Sequence, residues 1–239
     1  PERLDEFLRT TPFDGLNVTI PYKEAVLPYC DELTPAAQHV GAVNTLVHRP
    51  DGKLVGDNTD YAGFLDTVRA SGIKVKGKKA LILGTGGAAK CVQAVLKDLG
   101  AFAVMVNIRG AEGREALNRH ADAEILVNAT PLGMYPENGT SPVDLTRFDA
   151  LCAVLDVVYN PARTALILQA EALHIPHASG LSMLVAQAKK ACEYFTDTKI
   201  PDTEIDRIER LLSHQMQNIV LIGMPGCGKS SIGQALADS

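Results

Sequence analysis

"LILGTGGAAK", residues 81–90, is an apolar run that ends in glycines and passes directly into a helix-forming stretch. The order is strand, tight turn, helix. Gly84 permits the turn, and Gly86 lets the backbone come close to a pyrophosphate. Gly87 and Ala88 open a helix whose first N–H groups point at an anion. The spacing is G-x-G-G-A, and a glycine-rich turn without a ligand is the plain alternative. The strand before it and the helix after it favour the dinucleotide reading.

Working outward, "AFAVMV" (101–106), "EILVNA" (124–129), "AVLDVVY" (153–159) and a short piece near "IPHAS" (175–179) read as further strands. Helical stretches separate them, among them "PARTALILQAEAL" (161–173). Strands alternating with helices make βαβ units of a parallel sheet. The second strand ends in "MVNIRGAEGR" (105–114). An acid at such a tip suits a free ribose 2′-hydroxyl, and an arginine suits a 2′-phosphate. Asn107, Arg109 and Arg114 stand there against one acid, Glu112, which points to NADP. Arginines on a solvated turn are the ordinary alternative.

Upstream, "SGIKVKGKK" (71–79) reads as a linker. Before it, "GLNVTI" (15–20) is a short strand, and "PYKEAVLPYC" (21–30) starts a helix with Pro21 in its first turn. "AVNTLVHR" and "KLVGDN" flank "PDG" at 50–52, a hairpin signal. "TDYAGFLDTVRAS" (59–71) is helical, with Ala62, Leu65 and Val68 at core spacing. Residues 181–196 form a long helix, and "PDTEIDRIERLLSHQMQ" (201–217) forms another.

Two polar runs beside glycines, "GLNVTIPYK" (15–23) and "GDNTDYAGF" (56–64), concentrate Asn, Thr, Asp and Lys. They suit a pocket that binds a polyhydroxylated substrate and moves a proton. A lysine can give a proton if a nearby carboxylate orients it and favours its charged form. Taken alone, Asp60 reads as well as a helix N-cap, and Lys23 as an exposed lysine.

"NIVLIGMPGCGKSSIGQALA" (218–237) contains G-x-x-x-x-G-K-S at 223–230, read as a strand, a loop and a helix. In such a P-loop the backbone N–H groups around Gly223 and Gly228 cradle phosphates. Lys229 reaches them, and the Ser230 hydroxyl meets Mg²⁺.

The 239 residues are 46% hydrophobic with a net charge of −5, so the chain can bury a core. The acidic balance argues against nucleic acid or a membrane surface as partner, and no apolar run approaches the ~20 residues of a membrane span. Five cysteines without a CxxC pair read as free thiols of a reducing cytoplasm. No metal site is expected, and the sequence sets no oligomeric state.

Seven motifs in order carry a family resemblance: "NVTIPYK" (17–23), "GAVNT" (41–45), "GDNTD" (56–60), "GTGGAAK" (84–90), "NATPLGM" (128–134), "DVVYNP" (156–161) and "GLSMLVAQA" (180–188). With these the chain resembles shikimate dehydrogenase, the NADP-dependent enzyme that interconverts 3-dehydroshikimate and shikimate in aromatic amino-acid biosynthesis. The resemblance implies Lys23 and Asp60 as the catalytic pair. It implies Asn44 and Gln187 on substrate hydroxyls, with Asn17, Thr19 and Tyr159 lining the pocket. It places the dinucleotide at the glycine loop, Asn107, Arg109, Asn128, Thr130, Met134 and Gly180, with Met183 beside the nicotinamide. A broader quinate/shikimate dehydrogenase is the rival within the class.

The family's opening strand and Ser-x-Ser segment have no match here. Asn107-Ile108-Arg109 replaces its Asn-Arg-Thr, and the short stretch from Asn107 to Asn128 leaves room for one strand fewer. The P-loop segment looks like the start of shikimate kinase, which would take ATP and Mg²⁺ only as a full domain. The rival from another class is a P-loop phosphotransferase that the dehydrogenase part supports. The expected fold is α/β: a two-lobed dehydrogenase with a Rossmann-type parallel sheet, a smaller α/β substrate lobe and a truncated P-loop βα unit. Its parts would be a substrate lobe at 1–70 lacking its N-terminus, a Rossmann lobe at 71–179, returning helices at 180–212 and a kinase start at 217–239. On this reading the chain is an internal piece of a fused dehydrogenase–kinase.

Overall fold

β5 (Lys79–Leu83) is apolar after its first residue and buried on both faces, as a strand between parallel neighbours must be. The computed structural model describes residues 3–216 and 220–237, without the Arg114 side chain. In it β5 pairs with β6 (Phe102–Val106) on one side and β7 (Ile125–Asn128) on the other. β8 (Ala153–Asp156) and β9 (His177–Ala178) follow. The order is β6-β5-β7-β8-β9, and every pair is parallel.

Alternation along β5 sends Ala80 and Ile82 to one face and Leu81 and Leu83 to the other. The first face packs on α3 (Thr59–Ser71), α4 (Gly87–Asp98) and α7 (Leu181–Thr196) through Phe64, Val92, Leu96 and Met183. The second packs on α5 (Gly110–Arg119) and α6 (Ala165–Ala172) through Leu117, Leu166 and Ala170. Between β6 and β7 the chain forms α5 and no strand, which leaves β6 as the sheet edge with Phe102 70% exposed.

The smaller sheet holds β1 (Gly15–Asn17), β2 (Glu32–Leu33), β3 (Thr45–His48) and β4 (Leu54–Asp57) in the order β1-β3-β4-β2. β3 and β4 form the expected hairpin, with Thr45 opposite Asp57 and the Arg49 N–H donating to Lys53 O at 2.9 Å. Val26, Ala37, Val43 and Leu46 form the core beneath it, closed by α1 (Leu4–Thr10) and α2 (Pro35–Val40). α3 leads from this lobe to the parallel sheet, and α7 returns beside it. α8 (Thr203–Gln215) packs on α7.

Four expectations need correction. Residues 21–30 make turns and a 3-10 helix at Leu27–Tyr29, not an α-helix. Pro28 has no N–H to give Glu24 O, and Leu27 N takes that oxygen instead. The "GLNVTI" strand stops at Asn17. α3 buries Gly63, Phe64, Thr67 and Val68, whereas Ala62 and Leu65 are only half-buried, because α7 packs against the Gly63 side. Residues 220–224 form no strand, and 217–219 of that expected strand lie outside the described residues. α9 (Lys229–Ala237) does follow the P-loop glycines. Among the described residues no helix is long and apolar enough to cross a membrane.

Candidate active site

The two lobes face each other across a cleft of about 740 Å³, lined by Ile20, Lys23 and Glu24 on one side and Gly84–Ala88, Asn107, Arg109, Thr130 and Leu132 on the other. The Lys23 ammonium donates to Asp60 Oδ2 at 2.6 Å, with side chains 18% and 11% exposed. Asp60 lies in the first turn of α3, where the positive end of the helix favours a carboxylate. It is not the cap. Asn58 is, with its Oδ1 accepting the Tyr61 N–H at 3.3 Å. Behind the pair the Cys91 thiol is fully buried; burial first, and the Asp60 carboxylate second, push its pKa well above the ordinary thiol range. That thiol stays neutral and serves as an apolar backing.

Beside Asp60, Thr59 is a buried hub that the sequence reading passed over, although it stands inside the quoted motif. Its N–H donates to Asn44 Oδ1 at 2.7 Å, and its hydroxyl accepts from Asn44 Nδ2 at 3.0 Å. The same hydroxyl lies 3.4 Å from Gln187 Oε1 on α7. Asn44 and Gln187, far apart in sequence, thus meet at the residue before Asp60.

On the opposite wall, Gly84 has φ +116° and an added Cβ would lie 2.9 Å from Ala129 O, so only glycine fits. Nothing lies within 4 Å of a Cβ placed at Gly86, which leaves open space before the α4 N-terminus. A bare backbone, open room and unpaired helix N–H groups fit a pyrophosphate. Asn107 Oδ1 accepts the Arg109 N–H at 3.1 Å, which turns the strand tip so that Arg109 lines the cleft. The Arg114 side chain lies outside the described residues.

Other expected residues sit elsewhere. Asn17 and Thr19 are exposed and line a separate groove of about 400 Å³ with Phe7 and Tyr22. Asn128 is fully buried; its amide donates to Asp156 Oδ1 and Leu132 O, and its Oδ1 accepts from Thr130 N and Oγ1. Those bonds use its capacity, so it shapes the Thr130–Leu132 loop and reaches the cleft only through that loop. Its partner Asp156 has a carboxyl pushed up by burial, against the hydrogen bonds from Thr164, Val158 and Asn128. Met183 is buried in the sheet core. Gly180 is a packing position, since a Cβ there would lie 2.1 Å from Val157 O. Met134 and Tyr159 are partly exposed and are not among the residues that line the cleft.

In the P-loop segment Gly226 and Gly228 have positive φ, and Lys229 Nζ folds back to donate to Gly223 O and Met224 O, both at 2.8 Å. Ser230 is exposed. Among the described residues, no group of three or more His, Cys, Asp or Glu is placed to hold a metal ion.

Residues 2–46 match a family model described as the shikimate dehydrogenase substrate binding domain. A shikimate dehydrogenase (NADP(+)) of Oleidesulfovibrio alaskensis is 40% identical over 84% of this chain and 78% of its own length. The fold matches a crystal structure of shikimate dehydrogenase 1 from Peptoclostridium difficile with a TM-score of 0.81 at 34% identity, covering 91% of this chain and 84% of that one. It matches the Thermus thermophilus shikimate 5-dehydrogenase in complex with NADP(H) and shikimate with a TM-score of 0.73 at 35% identity, covering 88% and 83%.

Proposed function

Because the chain belongs to the shikimate dehydrogenase family, we propose that its interlobe cleft carries out that family's reaction with Lys23 and Asp60 as the proton-handling pair. The reaction is the reversible, NADP-dependent reduction of 3-dehydroshikimate to shikimate. When bound, NADPH supplies hydride to the ring carbonyl carbon. Lys23 Nζ gives a proton to the carbonyl oxygen, and Asp60 holds the ammonium in line. In the oxidative direction Lys23 takes that proton back. Beyond its bonds to Thr59 and Thr45, Asn44 keeps one amide N–H, and beyond its bonds to Thr59 and Leu184, Gln187 keeps one N–H and one lone pair, which suits ring hydroxyls. Gly84, Gly86 and the α4 N-terminus take the pyrophosphate, and Arg109 takes the 2′-phosphate.

The observation that carries this reading is the 2.6 Å pair, drawn from two distant segments, whose lysine lines the same cleft as the glycine turn. The test is Lys23→Met. Turnover should fall by about 10²–10⁴-fold, the usual loss for a general acid. NADP affinity should barely change, because Lys23 stands on the other wall. An equal loss of NADP binding would sink the assignment.

We further propose that residues 217–239 are the opening of a phosphate-binding kinase unit resembling shikimate kinase. The support is the G-x-x-x-x-G-K-S spacing, the positive-φ glycines and the helix that follows. ATP and Mg²⁺ would be ligands only of a complete domain.

A further inference from the structure

We infer that Asn58 is a positioning residue, a buried amide that fixes Asp60 against Lys23 by tying the start of α3 to the 42–44 segment. The inference rests on the proposed role of that pair. Asn58 is 2% exposed, and both ends of its amide are used. Its Oδ1 accepts the Tyr61 N–H at 3.3 Å, and its Nδ2 donates to Ala42 O at 2.9 Å. The first bond caps the helix that carries Asp60. The second reaches a segment that also holds Lys23, since the Val43 N–H donates to Lys23 O at 2.8 Å. On the same segment the Asn44 N–H donates to Asp57 O at 3.0 Å. A short bonded path therefore runs from the Lys23 backbone through Val43 and Ala42 to Asn58, and from there into the first turn of α3.

Capping alone does not require asparagine. Serine and aspartate cap about as well. Asparagine at this position puts an acceptor on the helix and, on a separate atom, a donor on a carbonyl in the facing segment; serine's single, shorter hydroxyl cannot stand at both places, and aspartate has no donor. Ala42 is itself fully buried. Removing the Asn58 donor leaves its carbonyl without that partner, and the chain must shift to find another. Such a shift separates the two segments that carry the pair. Misplacement by about 1 Å at a reacting group costs up to about a hundredfold in rate.

The discriminating variant is Asn58→Ser, whose single, shorter hydroxyl can take the Tyr61 N–H but cannot also span to Ala42 O. The deciding readout is the acylation of Lys23 by acetic anhydride, followed by peptide mass spectrometry, with Lys53 and Lys78 as internal standards. Asp60→Asn sets the labelling of an unpaired Lys23. We expect Asn58→Ser to raise Lys23 labelling severalfold towards that level, with the standards unchanged and no additional rise in the Asp60→Asn background. Turnover should fall about ten- to a hundredfold, with the NADP Kd within about twofold. Lys23 labelling within twofold of the parent overturns the inference whatever happens to turnover. A uniform rise at all three lysines overturns it too, because that is general loosening. The labelling result does not depend on Lys23 being the proton donor. If Lys23→Met leaves turnover intact, the proton assignment fails, and the labelling result still decides the case for Asn58.

Discussion

At Gly63 the backbone of α7 packs directly on α3, and Gly63→Ala sets two calculable effects against each other. Alanine is the better helix former by about 1 kcal/mol, so on propensity alone the variant is stabilised. The added Cβ, however, would lie 2.7 Å from Met183 O and 3.1 Å from both the backbone N and the Cβ of Gln187. A carbon–oxygen contact normally closes no further than about 3.3 Å, so the helices must part by roughly half an ångström. Two of the three atoms met are backbone, so no rotamer change relieves them. Overpacking of this kind costs about 1–3 kcal/mol, and the net result is a loss of about 0–2 kcal/mol. For a chain of this size each kcal/mol moves the thermal midpoint by about 2–4 °C.

The functional effect should be sharper than the loss of stability. Gln187 travels with α7, and its Oε1 lies 3.4 Å from the Thr59 hydroxyl. Moving α7 pulls the amide off that hub while the glycine turn on the far wall stays in place. We expect KM for shikimate to rise by about tenfold or more, the NADP Kd to hold, and the midpoint to stay level or fall by up to about 8 °C. Thermal melts by circular dichroism and steady-state kinetics in the shikimate-oxidising direction give both numbers. A midpoint raised by a few degrees with an unchanged KM would refute the reasoning, because propensity would then have won and α7 would have yielded freely.

Tyr61 is pushed up to about 12 by burial and then by the Asp98 carboxylate that accepts its hydrogen bond, and Tyr194 is pushed up to about 12 by burial and then by Asp57. A folded-state pKa above the unfolded value of about 10 gives stability that is full below about pH 10 and is lost as pH rises towards about 12. Urea unfolding across that range should show the decline, and Tyr61→Phe should flatten it; equal slopes in parent and variant would remove Tyr61 from the account. Arg109→Ala should cut the preference for NADP over NAD by about ten- to a hundredfold, the worth of one charged phosphate contact, as read from the two dissociation constants. Equal weakening of both cofactors makes Arg109 a surface residue. The chain should not phosphorylate shikimate with ATP, because a lone loop and helix cannot complete a metal site; phosphorylation that Lys229→Ala abolishes would contradict this.

The parallel sheet was legible because strands buried on both faces are apolar along most of their length, as β5 is after Lys79, β7 before Asn128 and β8 before Asp156. The hairpin at 45–57 and α7 at Leu181–Thr196 follow the turn and periodicity signals closely. What failed depends on contacts distant in sequence. The buried side of α3 is set by α7, and a packing glycine such as Gly63 carries no hydrophobic signal to betray it. The motif residues could be named from sequence, but not sorted. Asn128 and Asn44 are the same residue type in comparable motifs. Only the hydrogen-bond partners separate a loop-shaping amide spent on Asp156, Thr130 and Leu132 from one bonded to Thr59, the residue before Asp60. The helix expected at 21–30 is the converse case, because Pro21 is a local start signal that Pro28, lacking an N–H, overrides.

On the proposed roles, proton transfer and cofactor binding fall to opposite walls of the cleft, so their alignment needs a fixed seam, and α4 supplies one. Its N-terminus faces the cleft, and a Cβ at Gly87 would lie 3.5 Å from the Lys23 side chain. Along its flank, Cys91 and Ala94 pack on Val40 and Ala42 of the other lobe. Lys90 pairs with Glu24 at 2.8 Å, and Asp98 at the far end meets His39 at 3.2 Å and the Tyr61 hydroxyl at 2.6 Å. The ion pairs are partly exposed, and pairs of that kind contribute about 0–1 kcal/mol each. They cannot hold the lobes in register by themselves. The small buried side chains between them can, because a close-packed contact has one arrangement and a solvated ion pair has many. Ala42 belongs to that seam, and its carbonyl is the one Asn58 holds. The helix that opens at the glycine turn is therefore packed against the same segment that bonds Lys23 and Asn58, and on the proposed roles one junction registers the cofactor wall against the proton-donating wall.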